Sequence, residues 1–156
     1  MIKDLEIAIG YRFRNITLLQ NALAHSSYAN ERWHDSLKSN ERLEFLGDSI
    51  LGMVVAEHLY RNYPDRPEGE LTRMRADMVC ENALAAIAGR IGLGEHLLLG
   101  HGEEQTGGRT RNSILADAVE SVIAACFLDG GMDAARGFID RFVLTDVPVR
   151  KLRNAD

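Results

Sequence analysis

Apolar residues recur along most of this chain at steps of three and four, the spacing that lets an α-helix bury one face, while period-2 alternation of β-branched residues is scarce. Aromatic residues are only 6% of the sequence, which weakens the strand signal further. An all-α fold is the expectation. Leu5 and Ile9, then Leu18, Leu19, Ala22 and Leu23, predict two short opening helices. Ser39 or Asn40 caps a long helix that runs to about Tyr60 and is ended by Asn62, Tyr63 and Pro64. A fourth helix is predicted from Gly69 through Arg90, closed by Gly92 and Gly94. The glycine-spaced stretch from Leu93 to Gly108 reads as short helical turns and loop. Asn112 or Ser113 caps a further strong helix ending at Gly130 and Gly131, and a last one covers Asp133 to Leu144.

At 156 residues the chain suits one core-bearing domain. Lys and Arg total 18 against 23 Asp and Glu, a formal net charge of −5. That is the wrong sign for holding nucleic acid by bulk charge, so any such role needs a local site or a separate module. Cys80 and Cys126 lie in apolar stretches and read as small core residues. Asp4 and Glu6 fall where a secretion signal needs an apolar run. The longest apolar run, Val122 to Leu128, is far short of the roughly 20 residues of a membrane helix. A cytoplasmic protein without a membrane partner is expected.

Two acidic helices carry the chemistry. Glu41, Glu44 and Asp48 stand at i, i+3 and i+7, so at about 100° per residue they share one face within about 60°. Leu43, Leu46, Ile50, Met53 and Val54 form the opposite face, expected to pack on the core, and Phe45, Leu51 and Val55 flank the acids. A helix apolar on its core side and again beside its acids needs a second partner, and another copy of the chain is the simplest. Gly47, costing about 1 kcal/mol in a helix interior, points to close backbone approach at that seam.

The helix from Ser113 repeats the design, with Asp117 and Glu120 at i and i+3, a core face of Leu115, Val119, Val122 and Cys126, and Ile114 and Phe127 beside the acids. If the two helices lie side by side, Glu44, Asp48, Asp117 and Glu120 converge. Four such carboxylates repel unless a hard divalent cation such as Mg²⁺ binds their oxygens. First-turn acids also answer the helix dipole, which gives Glu41 and Glu44 a second reading. Asp48 lies two turns in, beside apolar residues, where an unpartnered charge is costly. Other chemistries lack their motifs: there are not the two helices with Glu-x-x-His that di-iron needs, no His and Cys spacing for zinc, and no glycine loop after a strand for phosphate.

The run Asn40-Glu41-Arg42-Leu43-Glu44-Phe45-Leu46-Gly47-Asp48-Ser49-Ile50-Leu51 resembles the signature of the ribonuclease III family. Gly10 to Phe13, Ala24 to Ser27, Glu68 to Arg75 and Ser113 to Ser121 resemble that family's nuclease domain in the same order. The resemblance implies an all-α endonuclease, homodimeric through the signature helix, that cleaves double-stranded RNA with Mg²⁺ to leave 5′-phosphates and short 3′ overhangs. Mn²⁺ is expected to substitute, and ribosomal and other precursor RNAs are the expected substrates. Glu44, Asp48, Asp117 and Glu120 match the family's metal ligands, with Asp48 and Glu120 tied most closely to catalysis. Glu41 and Glu68 match accessory acids. Arg109, Arg111 and Asn112, before the second acidic helix, read as phosphate contacts or as solvated loop charges. The nuclease domain is expected over residues 1–148, with 149–156 as the start of a linker. Bacterial members continue into a double-stranded RNA-binding domain, which this chain does not contain; it is either the nuclease part alone or a protein lacking that module.

Overall fold

The computed structural model describes residues 1–145; the linker expected over 149–156 lies outside them, as do the last residues of the expected 1–148 domain. The helices are α1 (Ile2–Ile9), α2 (Ile16–Ala22), α3 (Ser26–Tyr28), α4 (Glu41–Asn62), α5 (Glu68–Val79), α6 (Glu81–Ile91), α7 (His101–Gln105) and α8 (Asn112–Phe142). Short turns of 3₁₀ or π-helix fill several connections. Among the described residues the only extended pairing is a single parallel bridge between Ala24 and Leu98. No helix among them is long and apolar enough to cross a membrane.

The centre of the molecule is α8, whose residues from Ala118 to Cys126 are all buried. A helix hidden all round sits inside a protein instead of on it, and α4, α6 and α2 surround this one. Small side chains at Ala116, Ala118, Ser121, Ala124 and Ala125 leave room for that packing. Ile114, expected beside the acids, is also core. At Gly131, φ of 78° and ψ of −173° interrupt the helix and let its last turns set off anew, a conformation that glycine adopts without a Cβ penalty.

Helix α4 begins as its sequence predicts: the Ser39 hydroxyl accepts the Glu41 N–H at 3.3 Å. Asn40 instead donates its side-chain amide to the Ala22 carbonyl. Leu51 and Val55, expected at a seam between copies, are core residues at 1% and 0% exposure, whereas Met53, expected in the core, is exposed. The acid-bearing face of α4 thus becomes a packed face after two turns, because its second partner lies within the chain. Phe45 remains exposed at 79%.

The single helix expected from Gly69 to Arg90 is two, α5 and α6, turning a corner at Cys80, whose ψ of 164° is extended. Cys80 is consequently exposed, not core, while Cys126 is buried as expected. Helix α5 buries only Met78 and lies on the flank of the molecule.

Candidate metal centre

Four acids meet where α4 crosses α8. One carboxylate oxygen each from Glu44, Asp117 and Glu120 lies within 4.8 Å of the others, and the charge of Asp48 reaches both Glu44 and Glu120. The crossing is this close because of Gly47: a Cβ there would stand 1.8 Å from the Glu120 backbone oxygen. The approach that Gly47 signals is therefore between two helices of one chain, not at a seam between copies. A buried joint fixes the register. Ser121, fully buried beside Glu120, places its hydroxyl 3.1 Å from the Asn40 carbonyl and 2.9 Å from that of Asp117.

Burial and mutual repulsion make these unusual acids. Glu44 is pushed up to about 7, by burial first and then by Asp117, with Glu41 and Asp48 adding to it. Glu120 is pushed up to about 8, again by burial first and then by Asp48. Asp117 is also raised by burial, against the hydrogen bond from Glu44. Without a cation, protons held on Glu44 and Glu120 relieve the repulsion. A divalent cation relieves it in the same way. An all-oxygen, anionic donor set held at this spacing fits a hard ion such as Mg²⁺.

Glu41 is exposed, its carboxylate near the Ser39 hydroxyl, and its charge reaches both Glu44 and Asp117. Glu68 is exposed in the first turn of α5, where it accepts the Thr72 hydroxyl, and is not one of the three converging acids. Arg109 spends its guanidinium inside the chain, donating to the Gly94 and Leu97 carbonyls at 2.8 and 2.9 Å and to Glu104. Arg111 pairs with Glu103 and donates to the Thr106 carbonyl. Asn112 is the first residue of α8 and bonds Asn82 at 3.3 Å.

Two residues near the cluster escaped sequence reasoning. Glu81 raises Asp117 and His25 lowers it. Glu81 opens α6, so its nearness depends on the corner at Cys80, and His25 comes from a segment distant in the chain. Neither carries a spacing signal.

The chain matches the ribonuclease-III-like family over residues 15–147. It is 55% identical to Ribonuclease 3 of Symbiobacterium thermophilum over 134 residues, which are 86% of this chain and 56% of that protein. It is also 55% identical to Ribonuclease 3 of Clostridium tetani over 138 residues, 88% of this chain and 58% of that protein. Among solved structures, the nuclease domain of ribonuclease III from Campylobacter jejuni superimposes with a TM-score of 0.87 at 37% identity, covering 95% of this chain and 99% of that one. The chain thus spans little more than half the length of these two curated relatives. Sequence and fold agree over the helices that bring the acids together, and the chain belongs to the ribonuclease III-like family.

Proposed function

We propose that this chain is the nuclease unit of a double-strand-specific endoribonuclease, hydrolysing phosphodiesters with Mg²⁺ to give 5′-phosphates and short 3′ overhangs. The convergence of Glu44, Asp117 and Glu120 within 4.8 Å is the observation that carries this reading. Precursor RNAs, ribosomal RNA among them, are the proposed substrates, the cytoplasm the proposed location, and Mn²⁺ a proposed substitute for Mg²⁺.

Glu44, Asp117 and Glu120, with Asp48 beside them, would hold the metal. Bound there, the metal supplies a water acidified for attack and positive charge against the phosphate in flight. Asp48 and Glu120 are the residues on which cleavage depends most. Glu120 is nine-tenths buried, so its carboxylate is held in one pose with few competing waters. Glu41 and Glu68 are accessory acids at the rim. Of the three residues before or opening α8, Arg109 and Arg111 stiffen the approach through their internal pairs, and Asn112 stands at the helix N-terminus, where phosphate is favoured.

The partner copy docks on α4. Phe45, Met53 and Tyr60 are exposed at 79%, 49% and 73%, and at about 100° per residue they fall within about 100° of each other, adjoining the acids. Large exposed apolar side chains in one stripe mark a contact surface, and a two-fold axis there sets two acid clusters in one groove. Purified protein incubated with a long RNA duplex should cut it with Mg²⁺ and leave it whole with chelator. An intact duplex in both would refute the proposal.

A further inference from the structure

In the buried run of α8 from Ala118 to Cys126, Ser121 sets a hydroxyl among apolar side chains, next to Glu120. Serine is a poorer helix former than alanine, and a fully buried hydroxyl must find partners. It finds two, and both are carbonyls: that of Asn40, at the start of α4, at 3.1 Å, and that of Asp117, one turn back in α8, at 2.9 Å. A hydroxyl has one proton to donate, so that proton is divided between a bond inside α8 and a bond across to α4. Only the second joins the two acid-bearing helices.

Asn40 itself is held by three further bonds. Its N–H donates to the Ala24 carbonyl at 2.8 Å, its side-chain amide donates to the Ala22 carbonyl at 3.0 Å, and its own carbonyl accepts the Glu44 N–H at 2.8 Å. Asn40 stands at the N-cap of α4, yet its side chain caps nothing there, although asparagine is among the best capping residues. The amide instead ties the residue to the end of α2. On the Asn40 carbonyl, then, two donors meet: the backbone of Glu44 from α4 and the hydroxyl of Ser121 from α8. Glu44 on one side of this joint, and Asp117 and Glu120 on the other, are the three acids that lie within 4.8 Å of one another. The contact at Gly47 sets how closely the helices approach, and the Ser121 bond sets how far one can slide along the other at the acids.

We propose that Ser121 is a positioning residue of the metal centre: its hydroxyl proton, given to the Asn40 carbonyl, holds the first turn of α4, and with it Glu44, in register with Asp117 and Glu120. The proposal rests on the metal-dependent reading of those acids. Removing the hydroxyl orphans no buried group, because the Asn40 carbonyl keeps the Glu44 N–H and the Asp117 carbonyl keeps its helical partner, the N–H of Ser121 itself. A lost bond is costly chiefly when it leaves a buried group unsatisfied, and alanine gains in helix propensity, so Ser121→Ala should change stability little. Ligand spacing is less forgiving. Groups that hold metal ligands from outside typically change affinity about 10–100-fold when removed, and a tie acting through the backbone belongs at the low end of that range.

The test is a titration of the chain with Mn²⁺ alone, followed by electron paramagnetic resonance, with thermal unfolding by circular dichroism alongside. Ser121→Ala should bind Mn²⁺ about tenfold more weakly, with a Tm within about 4 °C of wild type. Ile139→Val thins the core beyond the break at Gly131, so it should lower the Tm and leave Mn²⁺ affinity at wild-type strength. Wild-type affinity in Ser121→Ala, or an equal loss in Ile139→Val, would overturn the proposal. The wild-type protein gives a second reading by nuclear magnetic resonance. Two protons bonded to one oxygen lie close together, so the Ser121 hydroxyl proton, slowed in exchange by its burial, should show a nuclear Overhauser contact with the Glu44 amide proton. If Ser121→Ala fails to fold, that spectrum decides: a hydroxyl proton close to amides of α8 and not to that of Glu44 overturns the proposal. A wild-type protein that binds no Mn²⁺ would bring down the metal reading itself, and the proposal with it, before any variant is compared.

Discussion

Replacing Gly47 by Ala sets two effects of opposite sign against each other. On helix propensity alone, Ala in the interior of α4 should stabilise by about 1 kcal/mol. The structure reverses that sign. The added Cβ would stand 1.8 Å from the Glu120 carbonyl oxygen, and ordinary contact begins at 3.4 Å. Since the neighbour is backbone and has no rotamer to change, α4 and α8 must part locally by about 1.6 Å. Against unyielding backbone, overpacking costs the upper end of its usual range, about 3 kcal/mol, which less the propensity gain leaves a net loss of about 2 kcal/mol and a Tm lower by about 4–8 °C for a chain this size. The same displacement pulls Glu44 and Asp48 away from Asp117 and Glu120. A misplacement of about 1 Å at reacting groups costs about 100-fold in rate, so duplex cleavage should fall at least that far at temperatures where the variant is folded. Thermal unfolding by circular dichroism and a Mg²⁺-dependent duplex assay read the two effects separately. A Tm at or above wild type with normal cleavage would refute the close helix crossing as the basis of the site.

Because burial raises Glu120 to about 8, its proton is bound more tightly folded than unfolded. The stability it contributes in chelator is complete below the ordinary carboxyl range and is lost as pH rises through about 8. Glu120→Gln should flatten that decline in denaturant titrations while abolishing cleavage; an unchanged slope would show that Glu120 does not carry the proton. Metal uptake must expel the protons on Glu44 and Glu120, so Mn²⁺ affinity should climb between about pH 6 and 9. Calorimetry in two buffers of different ionisation enthalpy should show proton release, and equal heats in both would contradict the coupling. Phe45→Glu should yield a monomer by light scattering, a dimer being the result that removes α4 from the interface. With two wild-type copies tethered in one chain, both strands should be cut. With one copy carrying Asp48→Asn and Glu120→Gln, one strand should be nicked, and double-strand cleavage would mean that one cluster serves both.

The sequence by itself determined the helices, because their apolar spacing and capping residues act within a few turns: Ser39 at the start of α4 and the glycine break at Gly131 both fall where the pattern puts them. It also determined which acids share a helix face, since 41, 44 and 48 are fixed by helical geometry alone. What lies opposite each face is a long-range matter, and there only the tertiary structure decides. An apolar residue beside an acid has the same pattern whether its partner is another helix of the chain or a second copy, and so Leu51 and Val55 proved to be core while Met53 did not. The corner at Cys80 left no mark on the periodicity of α5 and α6, yet it carries Glu81 toward Asp117. Asn40 and Ser121 are 81 positions apart in sequence, and no local rule brings them together. The bond from the Ser121 hydroxyl to the Asn40 carbonyl, which sets the register of α4 on α8 at the acids, forms only once those two helices have packed.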